Sequence, residues 1–526
     1  MALKFSESPA VRIREIDLSG IVPAVTSTTG AFVGDFNWGP VNTPVLVGNE
    51  SELASTFGSP LAGSANASDF ISASYFLKYS SSLYVVRSAN GDHAKSKFPS
   101  TGAIVVEAKY EGELGNDLTV SVCRPSDWSE WLYQDLFSSA PVGDEVHVVV
   151  SLGYVPPVLD SDNSVVVEAE LGTILETYEY LSTVEGDQKE DGSNNYVFDV
   201  VNGRSSWVEL KSLPLPADLY AMFVGGAQGT IQADEYSESY DKFDDKDKIQ
   251  IDFLIAPSGG QFAAEKVHKK LVEIASDRKD CVAVISPRLK STEELNVSTV
   301  QSYVEELNEN SSYLVFDGGW LKVYDKYNDK YINIPACSST AGIMAATDLA
   351  AAAWFSPAGS RRGQYIGVTD LVFNPSKSDR DVMYKSGVNP IVSFPGQGIM
   401  LYGDKTHLSR PSAFDRINVR RLFLVIERAI SEAAENVMFE FNDEFTRAEF
   451  VNIVEPFLRE IQGRRGITDF RLVCDTTNNT PEVIDRNEFV ASCFIKPARS
   501  INYVTLNFVA VRSGASFEEV VGTSGV

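Results

Sequence analysis

The sequence predicts a multidomain α/β protein. Three observations carry that expectation. The 526 residues are 44% apolar and 22% charged, ordinary globular composition and enough chain for roughly three or four domains of about 150 residues. Helix-like and strand-like periodicities alternate on either side of an acidic stretch that reads only as short strands. Each end of the chain carries an isolated strand-like segment set off by glycine. The implied layout is an α/β core with an inserted acidic β domain, a C-terminal α/β domain and extended terminal strand arms. The expected boundaries are residues 1–20 for the N-terminal arm, 21–100 with 216–395 for a discontinuous core, and 101–215 for the insert. Residues 396–513 form the C-terminal domain, and 514–526 the second arm.

From Pro9 to Ser19, Val11, Ile13 and Glu15 alternate with Arg12, Arg14 and Ile16 before Gly20 stops the pattern, which is how a single extended strand reads. From Gly30, GAFVGDFNWGPVNTPVLVGNESELASTFG reads as strand, turn, strand and helix, with Gly30 and Gly34 assigned to a turn. SYFLKYSSSLYVVRSA follows as helix and strand. In the acidic stretch, AIVVEAKY, HVVVSL, SVVVEAEL and YVFDVV read as strands. The α/β alternation resumes with IDFLIAPSGG, a helix from Ala263 to Arg278, the strand CVAVISP, and a further strand and loop in YLVFDGGWLKVYDKYNDKYINIPACSSTAGIMAATD.

In the C-terminal region Leu422, Ile426, Ala429, Ile430, Ala433 and Val437 share one helix face. Thr446 and Glu449 have the spacing of a capping box for a second helix, with Phe450, Val454, Phe457, Leu458 and Ile461 inward and Gly463 ending it. Strands follow at Phe470 to Cys474, Phe489 to Ile495 and Val504 to Ala510, the first turn being written by Thr477, Asn478, Asn479 and Pro481. The last segment, Phe517, Glu518, Glu519, Val520 and Val521, is again strand-like. An unpaired terminal strand invites pairing, so both arms are expected to be donated to neighbouring subunits by strand addition.

A net charge of −27 without a basic stripe argues against direct nucleic-acid binding, and no run approaches the roughly 20 apolar residues of a membrane span. The amino terminus lacks an apolar signal core, so synthesis in a cytoplasm is expected. Residues 101–215 hold 21 acidic and 5 basic residues, whereas residues 405–512 hold 15 of each sign, 13 of the basic ones being arginine. Guanidinium groups make bidentate bonds to carboxylates, so Arg416, Arg420 and Arg421 are candidate interface residues; a solvated helix face is the plain alternative.

No catalytic, cofactor or metal site emerges. The five cysteines lack C-x-x-C spacing and read as core thiols. The four histidines are dispersed, and a base–nucleophile pair of His268 and Cys281 is weaker than a core thiol beside a helix histidine. Gly396, Gly398, Gly403, Lys405 and Thr406 lack the helix that a phosphate loop requires. Asp241, Asp244, Asp245 and Asp247 lack the glycine and terminal glutamate of a calcium loop.

Four passages resemble phage contractile tail sheath proteins. They are RINVRR at Arg416–Arg421 with Asp475, Asn478 and Asn479; YEGELGNDLTV at Tyr110–Val120; AAAAWFSPAGSRRGQYIGVTDL at Ala350–Leu371; and SGVNPIVSFPGQGIMLYGDKT at Ser386–Thr406. The match spans most of the chain in order and is weakest over residues 121–200. The resemblance implies a non-enzymatic virion subunit of a myovirus-type bacteriophage, made in the host cytoplasm and assembled with itself as stacked hexameric rings. Its other implied partners are a tail tube protein, baseplate proteins and a tail terminator, with no nucleic acid, cofactor or membrane insertion. The C-terminal domain would face the tube and the acidic insert would face outward. Contraction would drive the tube through the host envelope for genome delivery. The sheath of a phage-tail-like bacteriocin or of another contractile injection system is the near alternative. A secreted surface-layer or adhesive protein is the alternative of a different class, and an α/β enzyme the third.

Overall fold

The computed structural model describes residues 28–60, 66–99, 103–159, 165–167, 169–212, 214–216, 220–258, 264–290 and 294–502. Both terminal arms and the expected strand from Val504 to Ala510 lie outside the described residues.

The central region is organised by a six-stranded sheet. Its strands are β1 (Gly30–Gly34), β2 (Val45–Val47), β3 (Leu83–Arg87), β4 (Phe253–Ile255), β5 (Val282–Ile285) and β6 (Leu314–Phe316), in the order β6-β5-β4-β1-β3-β2. All neighbours are parallel except β2, which runs antiparallel to β3 at the edge. Helices α1 (Asn66–Leu77), α2 (Ala264–Arg278) and α3 (Cys337–Ala350) pack onto it; α3 stands where a loop was expected, its Ser- and Ala-rich sequence giving little periodicity because nearly every face of the helix is buried. All five residues of β1 are buried, as in a parallel strand covered on both faces. Gly30 and Gly34 are not a turn, as expected from sequence, but the two ends of this strand. A Cβ on Gly30 would stand 2.8 Å from the Phe76 ring of α1, so close helix approach is what requires glycine there.

Between β3 and β4 the chain forms, besides a two-stranded pair of Val158–Leu159 with Val165–Val167, two larger antiparallel sheets. One has four strands in the order Thr173–Ser182, Glu145–Leu152, Leu118–Cys123, Ala221–Met222; the other has three, Val208–Leu210, Val106–Ala108, Lys97–Phe98. Their apolar residues, among them Val106, Val120, Val148 and Val201, form a separate cluster. Trp38 from the central region joins it, stacked on Trp207 with ring centroids 4.9 Å apart. One expectation fails in this region: YVFDVV belongs to a helix, Val197–Arg204, and not a strand. Val197, Val200 and Val201 are its buried residues, a three-and-four spacing that outweighs the β propensity of valine.

The C-terminal region is built on α4 (Ile417–Glu435) and α5 (Glu444–Gly463), with an antiparallel pair β7 (Ile467–Val473) and β8 (Ser492–Pro497). Leu422, Ile426, Ala433, Phe450, Val454, Leu458 and Ile461 make its core. The α5 cap is Asp443 and not Thr446: the Asp443 carboxylate accepts from the Thr446 amide at 2.9 Å, which starts the helix earlier and places Thr446 within it. Among the described residues no helix is long and apolar enough to cross a membrane.

Candidate functional site

Helix α4 has two apolar faces. Leu422, Ile426 and Ala433 enter the C-terminal core, while Ile417 and Leu424 belong to the core of the central region. The helix is therefore the joint between the two regions. Its three- and four-residue spacing places Arg421 and Arg428 beside Ile417 and Leu424, on the side that meets the central sheet.

Arg421 Nη1 donates to the Met344 carbonyl of α3 at 2.9 Å, and Nη2 reaches Asp348 Oδ2 at 2.6 Å. The guanidinium also lies 4.9 Å from the ring centroid of Phe253 in β4. Arg428 Nη1 pairs with Asp252 Oδ1 at 2.8 Å, and Nη2 donates to the carbonyls of Ile251 and Asp280. Burial pushes the Asp252 carboxyl up, and Arg428 pulls it back only in part. Both ion pairs are largely buried, so removing one partner strands the other charge at a cost of about 3–5 kcal/mol.

Arg420 and Arg416 hold the helix start. Arg420 Nη2 donates to Ser312 Oγ at 2.8 Å, and its plane lies 4.0 and 4.3 Å from the ring centroids of Phe414 and Tyr313. Burial pulls its pKa below the ordinary guanidinium range. Arg416 Nη1 donates to Tyr384 Oη at 2.8 Å and stands 3.6 Å from Asp404 Oδ1. Asp404 also accepts from Ser356 and Ser500. The structure thus brings all three candidate arginines to one helix start and gives each a contact within the chain. Val11, Ile13, Glu15, Phe517, Glu519 and Val520 lie outside the described residues.

Sequence reasoning missed Arg428 and the acceptors Asp252, Asp348 and Asp404. The signal for Arg428 was its position two helical turns after Arg421. The acceptors sit 70 or more residues away from Arg421 and Arg428, or across a loop from Arg416, and nothing local marks them.

Several of the side chains weighed for chemistry from sequence are engaged or buried within the chain. His268 Nδ1 shares a hydrogen bond with Tyr303 Oη at 2.7 Å, and burial lowers its pKa to about 3. Cys281 is fully buried, and desolvation pushes its thiol up. Lys405 Nζ donates to the Tyr384 carbonyl at 2.8 Å, where a phosphate-loop lysine would be free for its ligand. Asp241 and Asp245 pair with Lys270 and Lys248. Among the described residues no three His, Cys, Asp or Glu side chains are placed to hold a metal ion.

Comparison with known proteins returns matches along the chain. Residues 27–87 match the N-terminal region of domain III of the tail sheath protein Gp18, residues 229–407 the phage tail sheath protein central domain, and residues 409–510 the phage tail sheath C-terminal domain. The tail sheath protein of Salmonella phage ViI is 32% identical, over 99% of each chain. That of Enterobacteria phage T4 is 29% identical over 98% of this chain and 99% of its own. Among solved structures, a sheath tail protein from Desulfitobacterium hafniense aligns with a TM-score of 0.57 at 13% identity, over 93% of this chain and 100% of that one. The sheath complex of the extracellular contractile injection system PVC, in its contracted state, aligns at 0.53 and 13% identity over 98% and 100%. These structural likenesses concern the fold.

Proposed function

The chain belongs to the phage tail sheath family, and on that premise we propose how its parts serve a sheath: the two terminal arms add strands to the C-terminal domain of neighbouring subunits, linking them around a tail tube. The observation that carries this reading is the β7–β8 pair. Among the described residues it has no third strand, and most of β7 and all of β8 are half-buried or exposed. A two-stranded sheet is marginal alone and offers free edge amides and carbonyls to an incoming strand. The strand patterns around Val11, Ile13 and Glu15 and around Phe517, Glu519 and Val520 suit that edge.

In this arrangement subunits stack as hexameric rings between baseplate and terminator, with the C-terminal domain inward. The inserted antiparallel region, whose stretch 101–215 carries −16 of the net charge, faces outward. The buried arginines act inside one subunit, holding its C-terminal domain on its core while contacts between subunits change. Contraction then moves rigid bodies between two packings and drives the tube through the host envelope without nucleotide. Fold likeness to a sheath solved in its contracted state supports this.

Deleting residues 1–20 and 514–526 together tests the reading. The subunit should stay folded, with an unchanged unfolding midpoint, and lose the ability to form tubes visible by negative-stain microscopy. Normal tubes without either arm would refute strand donation.

A further inference from the structure

The helix pair α4–α5 carries different chemistry at its two ends. At one end, Phe439 and Phe441 between the helices and Phe445 in the first turn of α5 stand 102%, 82% and 76% exposed. Phe439 has φ +70°, a left-handed conformation that a bulky residue adopts only when its surroundings impose it. Glu440, Asp443 and Glu444 are interleaved with these rings, and no basic residue occurs between Glu435 and Arg447. The result is an acidic, aromatic knob.

At the other end a cleft of about 680 Å³ opens between the central and C-terminal regions. Its rim carries Lys377, Arg380, Arg465 and Arg499, and its wall the rings of Trp354 and Tyr402. Among the described residues none of those four cations is in an ion pair. Arg362 is a fifth cation of the lining, against two carboxylates: Asp381, and Asp404, which is already engaged by Arg416, Ser356 and Ser500. In a chain of net charge −27 this is a local excess of positive charge around aromatic surface.

We propose that the knob of one subunit docks in this cleft of a second copy of the chain. The two surfaces match in charge and in aromatic character. They cannot meet within one subunit. Asn418 at the start of α4 and Arg465 just past the end of α5 line or flank the cleft, whereas the knob joins the far ends of both helices. A 19-residue helix spans about 28 Å. A contact between different surfaces of identical subunits is head-to-tail and does not close on itself in pairs, so it propagates into a ring or a helical lattice. This inference rests on the self-assembly of the sheath reading and adds a contact distinct from the donated arms.

The test uses the full chain and four variants. Glu440→Lys with Glu444→Lys reverses the knob, and Arg465→Glu with Arg499→Glu reverses the cleft; all four residues are at the surface. Each pair should leave the melting temperature unchanged and raise the protein concentration at which tubes form by about tenfold or more. The chain carrying all four changes should regain tubes. An equimolar mixture of the two reversed proteins should regain tubes that neither forms alone, because every contact between unlike proteins pairs either the two reversed surfaces or the two native ones, with opposite charges in both cases. Phe439→Ser with Phe441→Ser, at nearly fully exposed positions, should weaken tubes without altering charge. Normal tubes from the knob variants would overturn the proposal. Loss of tubes in the cleft variant with normal tubes in both knob variants would assign the cleft to another occupant, such as residues 503–526 or the tube, and would also overturn it. Failure of the fourfold variant to improve on either pair would do the same. A wild-type chain that forms no rings or tubes at all would sink the sheath reading itself, a result distinguishable from any of these.

Discussion

Strands β1 and β7 are opposite in circumstance. β1 is buried along all five residues, with β3 and β4 as parallel neighbours and helices above it, all supplied by its own chain. β7 has one described neighbour, and only Ile467 of its seven residues is buried. The central region completes its own sheet and spends polar groups on internal joints. In the C-terminal region the β7–β8 pair has no third strand among the described residues. The contrast bears on the proposed strand donation: an open sheet edge offers its amides and carbonyls to an incoming strand.

The sharpest way to break that comparison is at the joint itself. Arg421→Ala leaves Asp348, and Arg428→Ala leaves Asp252, without its guanidinium partner on the buried face of α4. Each should lower the unfolding free energy by about 3–5 kcal/mol, measured by chemical denaturation of the subunit. A loss below about 1 kcal/mol would mean that the pairs behave as solvated ones and that the joint is not a built feature.

A smaller effect is expected from pH in the central region. Asp317 is fully buried, with Oδ1 accepting from Ser286 Oγ at 2.7 Å and Oδ2 from Thr340 Oγ1 at 2.9 Å, and burial pushes its carboxyl up to about 7. The folded state therefore holds this proton more tightly than the unfolded chain does. Its contribution to stability is fully present below the ordinary carboxyl range and is lost as pH rises through about 7. Between pH 5 and 7 the wild type should lose stability relative to Asp317→Asn with a slope of at most about 1.4 kcal/mol per pH unit. Taking the difference between the two profiles cancels His268 and Asp35, which also titrate away from their usual ranges. Parallel profiles would show that Asp317 is ionised in the folded protein throughout.

The sequence made some of this legible and hid the rest for physical reasons. Helix α4 announced itself because Leu422, Ile426, Ala429 and Ala433 repeat at helical spacing, and all four are buried. Its second face did not, because Arg421 and Arg428 score as polar although they are the pegs of the joint. Gly30 looked like a turn residue because its need for close helix approach involves Phe76, 46 residues away. YVFDVV looked like a strand because valine favours strands, whereas three buried residues at helical spacing decided otherwise. Thr446 was a plausible cap, yet Asp443 was equally able and lay earlier in the chain. Periodicity is local information; joints, caps chosen between rivals and glycine contacts are settled by what lies across the fold.

The smallest effect belongs to the exposed sheet. Lys496 on β8 and Asp469 on β7 form a cross-strand pair at 3.0 Å, with side chains 74% and 61% exposed. Water and salt screen both charges, and ordering the long lysine chain offsets what attraction remains. Lys496→Ala should therefore leave the unfolding midpoint of the isolated subunit unchanged at physiological salt. The same substitution becomes informative in the assembled state. If an arm lies along this sheet, water is displaced from the pair and its attraction is screened less, so tubes of the variant should dissociate at lower salt than wild-type tubes while the free subunits stay indistinguishable. A midpoint lowered as far as in Arg421→Ala would mean that the pair is already desolvated in the lone subunit. The sheet would then be complete before assembly, and the difference between β1 and β7 would carry no information about where partners bind.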